Sequence, residues 1–332
     1  MIEEEELVGN GSLDQQTELA IANPDRFTGI ATLVYAVEDL PLCHRFLSDW
    51  GVIETESNSR GSIWETPIGQ KIFLRQYDGD SGVPGLQEII WGVGDLAALG
   101  EIAEDLGKDL ELSLDSDGTI HTKDPNGFGV GFSAFTPKEI QSQPQPVNSP
   151  GRRERVGEPG TNCKRATPLR LGHVVFQTPF VEAAEKFYRD RLGFWLTDRY
   201  PGKAAFLRCA ARSDHHNIAF FRTNVTEPHF EHAAFEVCDI HEVFGGGLYI
   251  KDKGWQTQFG PGRHATSCAY FWYFQNPCGG NIEYFADNDF ADETWSPRDI
   301  PPSPTSIAEW GMFDGISRFS GKTKAWIRPL ER

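Results

Sequence analysis

Three residues in the second half of the chain could hold a metal ion: His173 opening LGHVVF, His232 in EHAAFEV and Glu283 in NIEYF. Each sits in a short apolar run of strand character. Each also lies too far along the chain from the next for a helical pair such as HExxH, so three different strands must supply the donors. Two imidazoles and a carboxylate on one face of an ion leave the opposite face open, the arrangement used by non-haem Fe(II) oxygenases. Zinc and Mn(II) accept similar donors, and the set alone does not choose among them. Singly, a strand histidine is more often a structural hydrogen-bonding residue, and a lone Glu283 could pair with an arginine. An ionised carboxylate inside an apolar strand is nevertheless costly without a partner or a metal.

The stretch GRHATSCAYFWYFQNPCGGNIEYF, Gly262–Phe285, reads as a hairpin turning at NPCGG. That turn sets Gln275 opposite Asn281 and Tyr273 opposite Glu283, and opposed residues share a face. Tyr273 therefore projects beside the candidate ligand, and His264 stands at the hairpin entrance. In DHHNIAFF, alternation puts His216, Ile218 and Phe220 on one face and His215 on the other. His216 is the choice for a desolvated base over the cavity, and His215 is expected to face solvent. His229 is a rival ligand, whereas His44, His121 and His241 read as structural. Phe271, Trp195, Phe220 and Phe285 fit an aromatic pocket or ordinary core equally well.

The elements that must carry these residues occur twice. TLVYAVEDLPLCHRFLSDWGV and HVVFQTPFVEAAEKFYRDRLGF both read as a strand, a loop and an amphipathic helix. IIWGVGDLAAL matches AAFEVCDIHEV, and DPNGFGVGF matches NPCGGNIEYF, in the same order. An internal duplication explains all three matches. Superposing the copies puts Thr32 against His173, Glu88 against His232 and Gly131 against Glu283, so only the second copy keeps a metal-like set. The expected divisions are an acidic arm (1–25), a metal-free copy (26–135), a Pro-rich linker (136–168), a catalytic copy (169–290) and a C-terminal extension (291–332).

The 332 residues suffice for two domains, and a net charge of −17 disfavours nucleic acid and anionic membrane surfaces as partners. No apolar run is long enough to cross a bilayer. The acidic start MIEEEEL lacks the basic and apolar regions of a secretory signal, which points to a cytoplasmic location. Six scattered cysteines without a CxxC pair read as small hydrophobes rather than a disulfide framework.

With these residues in place the sequence resembles the type I extradiol ring-cleaving catechol dioxygenases of the vicinal oxygen chelate superfamily, which also contains the glyoxalases. The signature is carried by Gly262-Arg263-His264, by Tyr273-Phe274-Gln275-Asn276-Pro277-Cys278-Gly279 and by Glu283. The likeness covers about 26–290 and is stronger in the second half. Trp272 departs from the aliphatic residue or Phe usual before the tyrosine and is expected to reshape the pocket. The resemblance implies an α+β fold of two tandem domains, each built of paired βαβββ modules. It implies Fe(II), with Mn(II) as the alternative, held by His173, His232 and Glu283. It further implies a catechol-type substrate with O2, and a homo-oligomer. Tyr273, His264 and His216 would contact the substrate, with His216 as base. A glyoxalase-like isomerase or lyase needs neither His216 nor Tyr273, and a non-catalytic binding protein needs no triad.

Overall fold

The structure is a computed structural model, and it describes residues 26–79, 82–303 and 305–317. The acidic arm lies outside the described residues, as does the chain beyond 317. In the first half the strands are β1 (Phe27–Val37), β2 (Ile53–Asn58), β3 (Gly61–Glu65), β4 (Lys71–Gln76), β5 (Gly85–Val93), β6 (Ser113–Leu114), β7 (Ile120–Lys123) and β8 (Gly129–Ala134). They form one sheet in the order β2-β3-β4-β1-β5-β8-β7-β6. Helices Leu40–Trp50 and Leu96–Leu106 follow β1 and β5, so the half consists of two βαβββ modules joined by the antiparallel β1–β5 pair.

The second half repeats the plan. Its strands are β9 (Arg170–Gln177), β10 (Trp195–Tyr200), β11 (Ala204–Arg208), β12 (Ser213–Asp214), β13 (Ile218–Phe221), β14 (His229–Glu236), β15 (Thr257–Arg263), β16 (Tyr270–Gln275) and β17 (Asn281–Ala286). Helices Val181–Lys186 and Ile240–Asp252 follow β9 and β14. Aspartates end the strand-to-helix turns as the repeated Val-x-Asp signal suggests. Asp95 accepts from the Ala98 amide at 2.8 Å and Asp239 from that of Glu242 at 3.1 Å, satisfying amides a helix start leaves free.

The sheet does not stop at 290. Short strands β18 (Phe290–Ala291), β19 (Arg298–Asp299) and β20 (Trp310–Gly311) follow. β18 pairs with β12, β19 with β10 and β20 with β15, so the extension is built into the second half. The large sheet runs β19-β10-β11-β13-β9-β14-β17-β16-β15-β20.

The two halves share one core. Trp50 stacks on Tyr284 at 3.6 Å, and the Tyr284 hydroxyl donates to the Trp50 carbonyl. On the other side Trp91 meets Phe194 edge-on at 4.8 Å. The helix following β1 thus covers the outer face of β16 and β17, and β5 packs against the turn after the helix that follows β9. Segment 136–168 is mostly exposed, with one isolated bridge between Ser149 and Arg152, and only its end enters this seam. Ala166 is buried beside Gly246, where a Cβ would come within 2.4 Å of the alanine methyl. No helix among the described residues is long and apolar enough to cross a membrane.

Candidate active site

The central strands β9, β14 and β17 lie side by side, and their register brings the candidate ligands together. Ala234 opposes His173 on one side and Glu283 on the other, and His232 opposes Val175. The same positions in the first half are Ile90 between Thr32 and Gly131, with Glu88 opposite Val34. The duplication therefore holds at the level of individual residues, and the first half lacks the donor set. There, Glu88 bonds His121 Nδ1 at 2.8 Å instead.

His173, His232 and Glu283 are all buried, with ligand atoms within 4.8 Å of one another. His173 Nε2 lies 3.2 Å and His232 Nε2 3.3 Å from Glu283 Oε2, and the two nitrogens are 3.4 Å apart. Donors bound to one ion at about 2.0–2.2 Å, spread as in tetrahedral or octahedral coordination, sit roughly 3–3.5 Å from each other. Neither Glu283 oxygen accepts a hydrogen bond of good geometry, although both are fully buried. A buried carboxylate faced by nitrogens but bonded by none fits the binding of a cation. Burial alone would raise the Glu283 carboxyl, but the imidazoles of His173, His232 and His264 outweigh it and hold it well below the usual range.

A fourth residue supports this group and went unforeseen in the sequence. β14 has a register break between Phe230 and His232, which lets the consecutive Glu231 and His232 both reach the cavity side. Glu231 accepts from His232 Nδ1 and, at 3.0 Å, from Asn281 Nδ2. Burial would lower the His232 imidazole, yet the Glu231 charge and hydrogen bond push it up to about 9. A carboxylate behind a ligating imidazole fixes its tautomer and makes Nε2 a better donor.

His173 and His232 line a cavity of about 290 Å³, with Glu283 buried behind them. The hairpin has the expected register, Tyr273 opposite Glu283 and Gln275 opposite Asn281, so Tyr273 projects into the cavity. Its hydroxyl is 3.0 Å from His264 Nε2. His264 Nδ1 lies 2.6 Å from the Ile307 carbonyl, which can only accept, so that nitrogen carries the proton and Nε2 accepts from Tyr273. Burial, then the charges of Glu283 and Glu231, push the Tyr273 phenol well above its ordinary value. Ile307 comes from the extension, which no spacing argument connected to the site.

His216 lines the cavity, its ring 4.2 Å from that of His173. Burial first, then the neighbouring His173 imidazole, holds its imidazole well below the ordinary value, so the ring stays neutral. Two expectations about this stretch need correction. His215 does not face solvent: it is fully buried, with Nε2 2.8 Å from Asp198 Oδ2 and Nδ1 3.1 Å from His216 Nδ1. The alternation argument also fails, because Phe221 lines the cavity while Ile218 and Phe220 belong to the main core. Asn217 breaks the period. Its side chain accepts from the Cys209 amide at 2.9 Å and donates to the Gly172 carbonyl at 3.0 Å, interrupting the strand just before β13.

Other candidates fall outside the cavity. Trp272 alternates with Tyr273 onto the core face, fully buried against Gly247 of the helix Ile240–Asp252, so this departure does not shape the pocket. Phe271, Trp195, Phe220 and Phe285 are likewise not among its lining residues; the aromatic wall is Tyr200, Phe206, Phe221 and Phe259. His229 begins β14 exposed, away from the cavity.

Comparison with known proteins agrees with the fold. Residues 170–284 match the Glyoxalase/Bleomycin resistance protein/Dioxygenase superfamily. Metapyrocatechase 2 of Cupriavidus necator is 30% identical over 295 residues, covering 83% of this chain and 87% of that protein. An iron-dependent extradiol dioxygenase of Rhodococcus jostii strain RHA1 is 34% identical over 159 residues, 42% of this chain and 50% of that one. The Mn(II)-bound glyoxalase of Novosphingobium aromaticivorans shares the fold at a TM-score of 0.71 and 21% identity, covering 87% of this chain and 93% of its own. The chain is a two-domain protein of the vicinal oxygen chelate class. Within that class it belongs to the extradiol catechol dioxygenase family.

Proposed function

We propose that the protein opens the ring of a catechol-type substrate beside its two hydroxyls, consuming O2 at an iron held by His173, His232 and Glu283. The observation carrying this reading is the unpartnered, fully buried Glu283 carboxylate with both ligand imidazoles facing it beneath an open cavity. Iron held there would bring substrate and O2 together and would supply the redox chemistry between them.

The other steps belong to side chains. Tyr273 and His264 form a hydrogen-bonded pair at one wall, suited to hold a substrate oxygen and to relay its proton. His216 approaches from the opposite side as a neutral imidazole, able to take a proton at its free nitrogen. Val175, Phe206, Phe221 and Phe259 enclose the ring and exclude water. Glyoxalase chemistry shares the fold, but it leaves His216 and Tyr273 without a task.

Oxygen uptake by the iron-loaded protein with simple catechols tests the reading. Consumption of O2 together with a ring-opened product supports it. Metal-dependent isomerisation of a hemithioacetal without O2 uptake would replace it with the glyoxalase reading.

A further inference from the structure

Behind His216 lies a buried chain of polar groups that ring cleavage as described does not use. Asp198 in β10 is fully buried, and every group aimed at it is a donor. The backbone amide of Arg298 reaches Oδ1 at 3.0 Å, and Arg298 Nε lies 3.0 and 3.1 Å from the two oxygens. A second guanidinium nitrogen bonds Oδ2, which also receives His215 Nε2 at 2.8 Å. Beside an arginine and so many donors the carboxyl remains ionised, and burial does not prevent it. An ionised carboxylate can only accept.

That fixes the protons one ring at a time. His215 Nε2 must carry hydrogen, because Asp198 has none to give. Where Arg298 already balances the Asp198 charge and His215 holds this one proton, its Nδ1 is bare, and its neighbour at 3.1 Å is His216 Nδ1. This nitrogen must be the donor, since two bare nitrogens would repel. His216 therefore keeps no hydrogen on Nε2, its remaining ring nitrogen. Taking the ring-cleavage reading as its basis, we propose that Asp198 and His215 are positioning residues that fix the His216 tautomer, so that Nε2 meets the substrate as an unprotonated acceptor. Arg298, from the C-terminal extension, anchors the far end and also bonds the Thr266 carbonyl at 3.0 Å.

Histidine nitrogen NMR on the full-length protein carrying zinc, a diamagnetic stand-in for iron, reads the tautomers directly, with His216→Phe assigning the His216 signals. The expected pattern is hydrogen on Nδ1 of His216 and on Nε2 of His215. Hydrogen on Nε2 of His216 in the wild type overturns the proposal. Asp198→Asn keeps the shape but supplies an N–H, so His215 can reverse and carry His216 with it. With iron bound, this variant is expected to lose about 10–100-fold in kcat, the usual cost of losing an outer partner, at unchanged iron content and little changed KM. Wild-type kcat in that variant overturns the proposal.

If Asp198→Asn does not fold, His215 gives a second comparison. His215→Gln offers a carbonyl to His216 Nδ1 and should retain more activity than His215→Leu, which offers none. Equal activity in the two overturns the proposal. A wild-type protein that consumes no O2 with any catechol defeats the ring-cleavage reading, whereas the NMR pattern still decides the tautomer.

Discussion

At the scale of single residues, His216 and the three ligands make separable predictions. His216→Phe removes the acceptor but no ligand, so iron content should stay near wild type. Turnover should fall by about 10² to 10⁴, the usual contribution of a positioned acid or base. Oxygen uptake with parallel iron analysis checks this, and unchanged uptake would remove His216 from the chemistry. Glu283→Ala, by contrast, should lose tight iron binding, as should either ligand histidine changed to alanine; full metal occupancy in any of the three excludes that residue. The candidate triad was legible in the sequence because each member interrupts an apolar strand, and the duplication shows what the other copy carries there. Glu231, Asp198 and Ile307 could not. Each matters through a partner that only folding brings near, such as the Ile307 carbonyl against His264. His215 was misjudged for a related reason: one side chain, Asn217, replaces strand hydrogen bonds and breaks the alternation on which the expectation rested.

At the scale of elements, the two copies solve the same problem differently. The first fills its equivalent of the metal position with the Glu88–His121 pair, and His121 Nε2 lies 3.2 Å from Asp115. Burial would lower the His121 imidazole, but these carboxylates outweigh it and raise it. A raised folded value stabilises the protein fully below the unfolded imidazole value, about 6.5. That gain is lost as pH rises through the folded value. The melting temperature of wild type should therefore exceed that of His121→Gln most in mildly acid solution, with the gap closing toward alkaline pH. The gain also has a lower bound, because burial raises the Glu88 carboxyl and its protonation removes the partner. A gap independent of pH would show that the pair carries no charge. In the second copy, Gly247 makes room for Trp272: a Cβ there would stand 2.0 Å from the indole. Gly247→Ala should destabilise by about 1–3 kcal/mol through overpacking, while iron bound per folded molecule stays at the wild-type level. Chemical denaturation and metal analysis check the two halves of that statement.

Across the whole molecule, the strand–helix–strands plan was visible in the sequence because its apolar periods and turn signals occur twice. The union of the halves was not, since nothing local says that Trp50 of the first copy stacks on Tyr284 of the second. Gln70 adds to the seam: its amide donates to the carbonyls of Ile30 and Leu171, at 2.8 and 2.9 Å, tying both central strands to one side chain. The extension, set apart by its composition, instead closes the sheet edges and supplies Arg298 and Ile307 to the site. Metal binding should consequently be tested on the whole chain, because separated halves would expose their shared core. The ring-cleavage account predicts where the oxygen goes. Iron-loaded full-length protein given a simple catechol under ¹⁸O2 should consume oxygen mole for mole with substrate. Mass spectrometry of the ring-opened product, quenched before exchange with water, should then find both atoms of O2 in it. Oxidation to a quinone without incorporated label, or no oxygen consumption at all, would contradict the account.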